Sequence, residues 1–288
     1  MIWRGGVQLR SESPFFGGFS GLVIDSEGEK IISISDSGVW LTGNISYASG
    51  HPAGLENVRI GPLSNRKSKP FSKNKDRDAE AITLYRGNME KGSALIAFER
   101  NTRIAQFPIR NQQIGAQTKL LRLNKSMRRL TTNKGIEALA YYGHGINRGK
   151  LIVFPERMLE PKEFLNGWII DGKKHRRLRV RRLRGFDITD VAALPGGGAL
   201  LLERRFRYSE GIKMRIRHLS ASEINRDKRL DGQVLFEADD RFNIDNMEGI
   251  AVHKSPDNET IVTLISDDNF NFIQRTLLMQ FKLPGNIR

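Results

Sequence analysis

The sequence predicts an all-β protein, a β-propeller of five blades with four strands in each. Three observations predict it. The first is a repeat, found five times in 288 residues, in which two short apolar runs are bracketed by acids. The copies read FSGLVID…KIISISDSG from Phe19, DAEAITLY…ALIAFER from Asp78, GIEALAYY…KLIVFPER from Gly135, DITDVAALP…ALLLERR from Asp187 and NMEGIAVH…TIVTLISDDN from Asn246. A repeat of this length with two or more strands per unit is the sequence form of a propeller. The second is regularity: the opening residues Ser20, Glu80, Glu137, Asp190 and Glu248 are spaced by 60, 57, 53 and 58 positions. The third is a mismatch at the two ends. The fifth unit lacks its outer strand, and the segment Ile2–Leu9 is spare. Pairing them closes the ring and removes an exposed sheet edge. Five units account for the chain as a single domain, residues 1–288, whereas the alternative of six blades needs a unit that is not visible.

Each unit reads as four strands punctuated by glycine-rich turns. Unit one has Gly21–Ile24, Lys30–Ser35, Val39–Ser46 and a weak Glu56–Ile60. Unit two has Ala81–Tyr85, Ala94–Phe98, Arg103–Ile109 and Lys119–Leu123. Unit three has Ala138–Tyr142, Lys150–Phe154, Gly167–Asp171 and Arg176–Arg182. Unit four has Val191–Leu194, Ala199–Leu202, Lys213–Leu219 and Gln233–Glu237, and unit five has Gly249–His253, Thr260–Ser266 and Thr276–Leu283. The first strands are short and almost wholly apolar, which suits strands crowded on both faces at an axis. Met214–Arg215–Ile216–Arg217 alternates, as a half-exposed outer strand does. Ser222–Arg229 and Glu160–Asn166 carry weak signals for a helical turn or two. The loops Gly61–Arg77 and Ala221–Gln233 are long and rich in Lys and Arg.

Composition narrows the chemistry. There is no cysteine, which excludes disulfides, thiolate metal sites and a cysteine nucleophile. No apolar run approaches the roughly 18–20 residues of a membrane-spanning helix, and MIWRGGVQLR holds no signal-peptide stretch, although a leader removed upstream is compatible with this start. The formal charge of +15 favours an anionic partner. The repeated acids run against that sign.

Geometry says where those acids go. The inner strand of a blade and its neighbour are antiparallel, so the start of one and the end of the next lie at the same end of the wheel. The closing residues Asp36, Glu99, Glu156, Glu203 and Asp267 therefore share a face with Glu80, Glu137, Asp190 and Glu248. Carboxylates so gathered raise one another's pKa unless cations intervene. One compensation is a hard cation, Ca²⁺ or else Mg²⁺ or Mn²⁺, on an all-oxygen site. The other is arginine: Arg100, Arg157 and Arg204 follow closing glutamates and would form bidentate pairs that set blade register.

The motifs FGGFSGL, DAEAIT, the closings FER, PER and LER, NMEGIAV and SDDNF resemble the bacterial family described as esterase-like activity of phytase, from about Phe16 to Phe281. The resemblance implies a calcium-assisted phosphoester hydrolase, periplasmic or secreted, with the cytoplasm as the alternative. It implies Glu80, Glu99, Glu137, Glu156, Asp190, Glu203, Glu248 and Asp267 as metal ligands, to which strand geometry adds Asp36; on that reading Glu137 or Glu248 is the general base and Arg100, Arg157 and Arg204 hold the phosphate. The expected ligand is a phosphate ester or other anionic small molecule, and the expected state a monomer. Ser20 departs from the pattern, standing where the other units open with an acid.

Competing readings are a non-catalytic propeller that binds an anionic ligand or partner, and a metal-dependent lactonase; fold alone does not choose among them. Lys173–Arg184 holds eight basic residues in twelve, read either as a solubilising edge strand or as a contact for an anionic surface. Nucleic acid is disfavoured, because no aromatics are interleaved there as stacking platforms. Ser20 lacks the second glycine of a nucleophile elbow. His144 and His253, which follow first strands, approach the opposite end of the channel.

Overall fold

A computed structural model describes residues 1–130, 135–156, 163–226, 229–285 and 287. Five antiparallel sheets form the blades of a propeller, each running outward from an inner strand. The inner strands are Phe19–Ile24, Ala79–Gly87, Ile136–Tyr141, Asp187–Ala193 and Asn246–Lys254. Each packs against the inner strands of both neighbours, in cyclic order, so the ring is closed. The N-terminal strand Ile2–Leu9 pairs antiparallel with Thr276–Lys282, Ile2 opposite Lys282 and Leu9 opposite Thr276, and forms the outer strand of the fifth blade.

The apolar pattern explains the packing. Five separate cores lie one at each junction between neighbouring blades. Alternate residues of one inner strand serve two junctions: Ile82 packs against the first blade's Ile34 and Trp40, while Ala81 packs toward the third blade's Leu139 and Val153. A strand that feeds two cores has no polar face, which is why the first strands read as continuous apolar runs. Phe19–Ile24 is buried at every position.

The structure departs from the sequence reading at several elements. Blades two and three carry a fifth short strand, Gln113–Ile114 and Arg229–Leu230. The latter pairs in parallel with Arg179 and Val180, so the basic strand Lys174–Arg181 is not a fully open edge. The helical turn expected over Glu160–Asn166 is corrected where it can be seen: Phe164–Asn166 begin the strand Phe164–Asp171, and residues 160–162 lie outside the described residues. The helix near Ser222 runs Ala221–Arg226. Among the described residues, no helix is long and apolar enough to cross a membrane.

Candidate metal and anion site at the upper mouth

We call the face where inner strands begin and second strands end the upper face. Each inner strand carries a β-bulge at its second or third residue, where the register slips by one. The bulged residues are Ser20, Glu80, Glu137, Thr189 and Glu248. A bulge re-aims one side chain out of the pleat, and five of them around an axis form a ring. Ser20 Oγ donates to the Ala79 carbonyl at 2.5 Å and Thr189 Oγ1 to the Met247 carbonyl at 3.1 Å. In both cases the acceptor is the residue just before the next blade's bulged glutamate. The hydroxyls thus tie blade one to blade two and blade four to blade five.

This register corrects the sequence reading of the fourth unit at two positions. Asp190 is not its opening residue; Thr189 is, and Asp190 stands one place on, opposite Leu202. Asp190 is fully buried, and its carboxylate accepts the N–H groups of Val191 at 2.8 Å and Ile250 at 2.9 Å. Burial pushes it well above the usual carboxylate range, against the pull of those backbone donors. Glu203 is not the closing residue either. It pairs with Ile188, where other blades place Ser35, Phe98, Pro155 and Ser266. It points into the junction of blades three and four, bonded to Arg217 and 3.7 Å from Arg215. Arg204 takes the closing position, opposite Asp187. The fourth blade therefore places a hydroxyl and a cation where the second, third and fifth place two acids.

The mouth gathers Asp36, Asp78, Glu80, Glu99, Glu137, Glu156, Glu248 and Asp267 around Arg204. Asp78 was missed by counting one opening acid per unit. It lies two residues before Glu80, at the end of the connection that enters the strand Ala79–Gly87. Oxygens of Asp78, Glu80 and Glu99 come within 4.8 Å of one another, as do those of Glu99, Glu137 and Glu156. Glu99 belongs to both triads because blades two and three touch there: a Cβ on Gly135 would lie 2.4 Å from Glu99 Cα. Only glycine permits that approach.

Electrostatics shows what the cluster lacks. Burial first, and then Glu137, Asp78, Asp36 and Glu248, push Glu80 well above its ordinary pKa. Burial and then Glu248, Glu99 and Glu156 do the same to Glu137. Glu99 is pushed up to about 7 by burial, then by Asp78 and Glu156. Asp267 is pushed up to about 8, chiefly by burial and then by Glu248 and Asp36, against the Asn269 backbone N–H. The described cation within the ring is Arg204, 3.4 Å from Glu248 and hydrogen-bonded to Asn246; Glu248 raises its pKa. Arg100 instead pairs with Asp78 at 3.0 Å, half-exposed, and works as a clamp within its own blade. Arg157 lies outside the described residues. An all-oxygen donor set whose carboxyls are raised by burial and then by mutual repulsion fits a hard divalent cation.

A cavity of about 550 Å³ opens beside the second triad. Glu137 and Glu156 line it together with Arg182, Arg204, Arg205 and Arg207. The channel's lower end is different. A cavity of about 380 Å³ is lined there by Leu22, Ile82, Leu139, Val191 and Ile250, with His144 and His253 at its border. Burial lowers His253 to about 4, leaving it a neutral packing group against Gly28.

Among solved structures, the chain is similar to "YCF48 bound to D1 peptide", at 9% identity and a TM-score of 0.41, over 90% of this chain and 66% of that one. It thus spans just under two thirds of that structure's length. No curated protein matches. The Phytase-like family, described as esterase-like activity of phytase, matches residues 14–270, a span that includes every carboxylate of the mouth. The chain belongs to the Phytase-like family.

Proposed function

We propose that the chain is a divalent-cation-assisted phosphoester hydrolase working at the upper mouth, with Ca²⁺ as the cation its donors suit best. The observation that carries the reading is the pair of carboxylate triads sharing Glu99, set against an arginine-lined cavity. Asp78, Glu80, Glu99, Glu137 and Glu156 would hold the cation. A bound divalent ion supplies positive charge to phosphate oxygens and acidifies a water. Arg204 and Arg182 face the same cavity and neutralise the phosphate oxygens turned away from the triads. Glu248 stands outside both triads, 3.4 Å from Arg204; burial raises its pKa above the usual carboxylate range, against the pull of Arg204, which suits a carboxylate that accepts the proton of the attacking water. Glu137, the other candidate for the base, belongs to the cation set. Asp36 and Asp267 complete the acidic wall on the far side.

The first test is a melting-temperature titration. Ca²⁺ at a hundred times its dissociation constant stabilises a folded protein by about 2.7 kcal/mol through mass action. A rise of several degrees is expected for wild type, and a much smaller one for Glu80→Gln/Glu99→Gln. Absence of any rise with Ca²⁺, Mg²⁺ or Mn²⁺ removes the cation from the reading. Turnover of nitrophenyl phosphate mono- and diesters, assayed beside lactones, then separates phosphoester from lactone hydrolysis.

A further inference from the structure

The upper face carries more than the acidic mouth. Tyr208, at the tip of the fourth blade's second hairpin, is 99% exposed, and Phe206 beside it 67%. In the fifth blade's loop after Asp267, Phe272 is 97% exposed and Ile273 72%. Two upper connections between blades add Phe242 and Phe15, each 60% exposed. Topology places all four segments on one side: they either precede an inner strand or join a second strand to a third. They occupy the arc of blades four, five and one. Two of the aromatics on that arc also border the mouth. Phe206 lines the cavity shared with Glu137 and Glu156, and Phe270 packs on Gly18 beside Asp36.

The remaining arc is basic. The upper connection from blade one to blade two, residues 63–77, holds Arg66, Lys67, Lys69, Lys73, Lys75 and Arg77 against one acid, Asp76. Its place on this face is fixed by Leu63, whose N–H donates to the Gly38 carbonyl at 2.9 Å. The described part of the next connection, residues 121–130, holds Arg122, Lys125, Arg128 and Arg129 and no acid. On the apolar arc Arg207 is paired with Glu210 at 2.8 Å, Arg241 with Asp239 at 2.9 Å and Arg275 with Asp245 at 3.3 Å, which leaves Arg10, bonded to the neutral Gln8. Apolar tips and free positive charge are thus segregated on one face.

We propose that this upper face docks on an anionic lipid surface, the aromatic tips entering the headgroup region and the basic connections resting on the headgroups. Apolar tips on separate loops, set along one arc of the mouth, offer no continuous flat patch for a protein partner. They match a fluid interface that fills around each tip, where aromatic rings are favoured. Lys and Arg within a Debye length of an anionic leaflet add attraction that salt removes. Docked this way, the mouth faces the headgroup phosphates; that consequence for substrate rests on the phosphoester reading, whereas the docking does not.

The test is vesicle cosedimentation, read without turnover. Wild type is expected to bind phosphatidylglycerol-containing vesicles and not pure phosphatidylcholine, with binding that weakens as NaCl rises. Tyr208→Ser/Phe272→Ser/Ile273→Ser is expected to bind at least about tenfold more weakly, with an unchanged melting temperature because these side chains pack against little. Tyr208→Trp is expected to add an emission that shifts to the blue on anionic vesicles. No binding to anionic vesicles overturns the proposal. So does unchanged binding of the triple variant, which would mean attraction by net charge alone. Capture of a protein through these loops without vesicle binding overturns it as well.

Discussion

Glu99→Gln is expected to remove most of the stabilisation by divalent cations that the proposed site predicts, since Glu99 is common to both triads. Loss of a shared ligand costs more than loss of a supporting group, so phosphoester turnover should fall by about a hundredfold or more. The same substitution has a stability signature of opposite sign. The carboxyl of Glu99 is pushed up to about 7 and that of Asp267 to about 8, burial being the main cause in each. In the unfolded chain both sit near about 4. Between those values the folded state binds more protons, so each group's contribution to stability is complete below about pH 4. It is lost as pH rises through about 7 and about 8. Without divalent ions, wild type should therefore melt lower at pH 8.5 than at pH 5.5. Ca²⁺ should restore most of the difference, and Glu99→Gln should reduce it without any ion, leaving the share due to Asp267. Melting curves at the two pH values, with and without chelator, check this. A wild type that gains stability with pH in chelator would contradict the electrostatics of the mouth.

Glu203→Met is expected to be the most destabilising single change at a residue first read as a ligand. Glu203 is completely buried with Arg217 and beside Arg215. Arg217 also donates to the carbonyls of Arg181 at 2.8 Å and Asp231 at 2.9 Å. Arg215 bonds Glu237 at 2.9 Å and lies 3.9 Å over the Phe186 ring. Burial pushes Glu203 up and Arg217 down, so desolvation outweighs the attraction between them. Such a network adds little over apolar packing, yet breaking it strands a buried charge at about 3–5 kcal/mol. Glu203→Met should lower the melting temperature by roughly 6–20 °C at about 2–4 °C per kcal/mol. Glu203→Met/Arg217→Met should recover much of that, because both charges then leave together. Ca²⁺ affinity of any folded variant should be unchanged. A selective loss of Ca²⁺ binding in Glu203→Met would return Glu203 to the mouth.

The architecture was legible because it rests on local patterning. Apolar runs feeding two cores, glycine turns and a spare N-terminal strand are properties of neighbouring residues, and they specify five closed blades. The family motifs, from FGGFSGL to SDDNF, were legible for the same reason. Which acids meet was only partly legible. Asp36, Glu80, Glu99, Glu137, Glu156, Glu248 and Asp267 do converge, as antiparallel strands require. Glu203 does not, because it stands one step before the closing position, and one step in a strand reverses the side a side chain faces; Asp190 stands one step past the bulge, held by backbone N–H groups yet near enough for Glu248 to raise its pKa. Aligning the units on the apolar residue before the bulge, namely Phe19, Ala79, Ile136, Ile188 and Met247, would have found Thr189 and Arg204.

By itself, then, the sequence determined the number of blades, the way the ring closes and the end at which negative charge collects. Tertiary structure decided the rest: that Glu99 serves two triads, that Arg204 stands among the acids, and that apolar tips and basic loops divide the face around them. The physical reason is range. Strand pairing is written into adjacent residues, whereas the distance between side chains from different blades depends on how closely the backbones approach, as at Gly135.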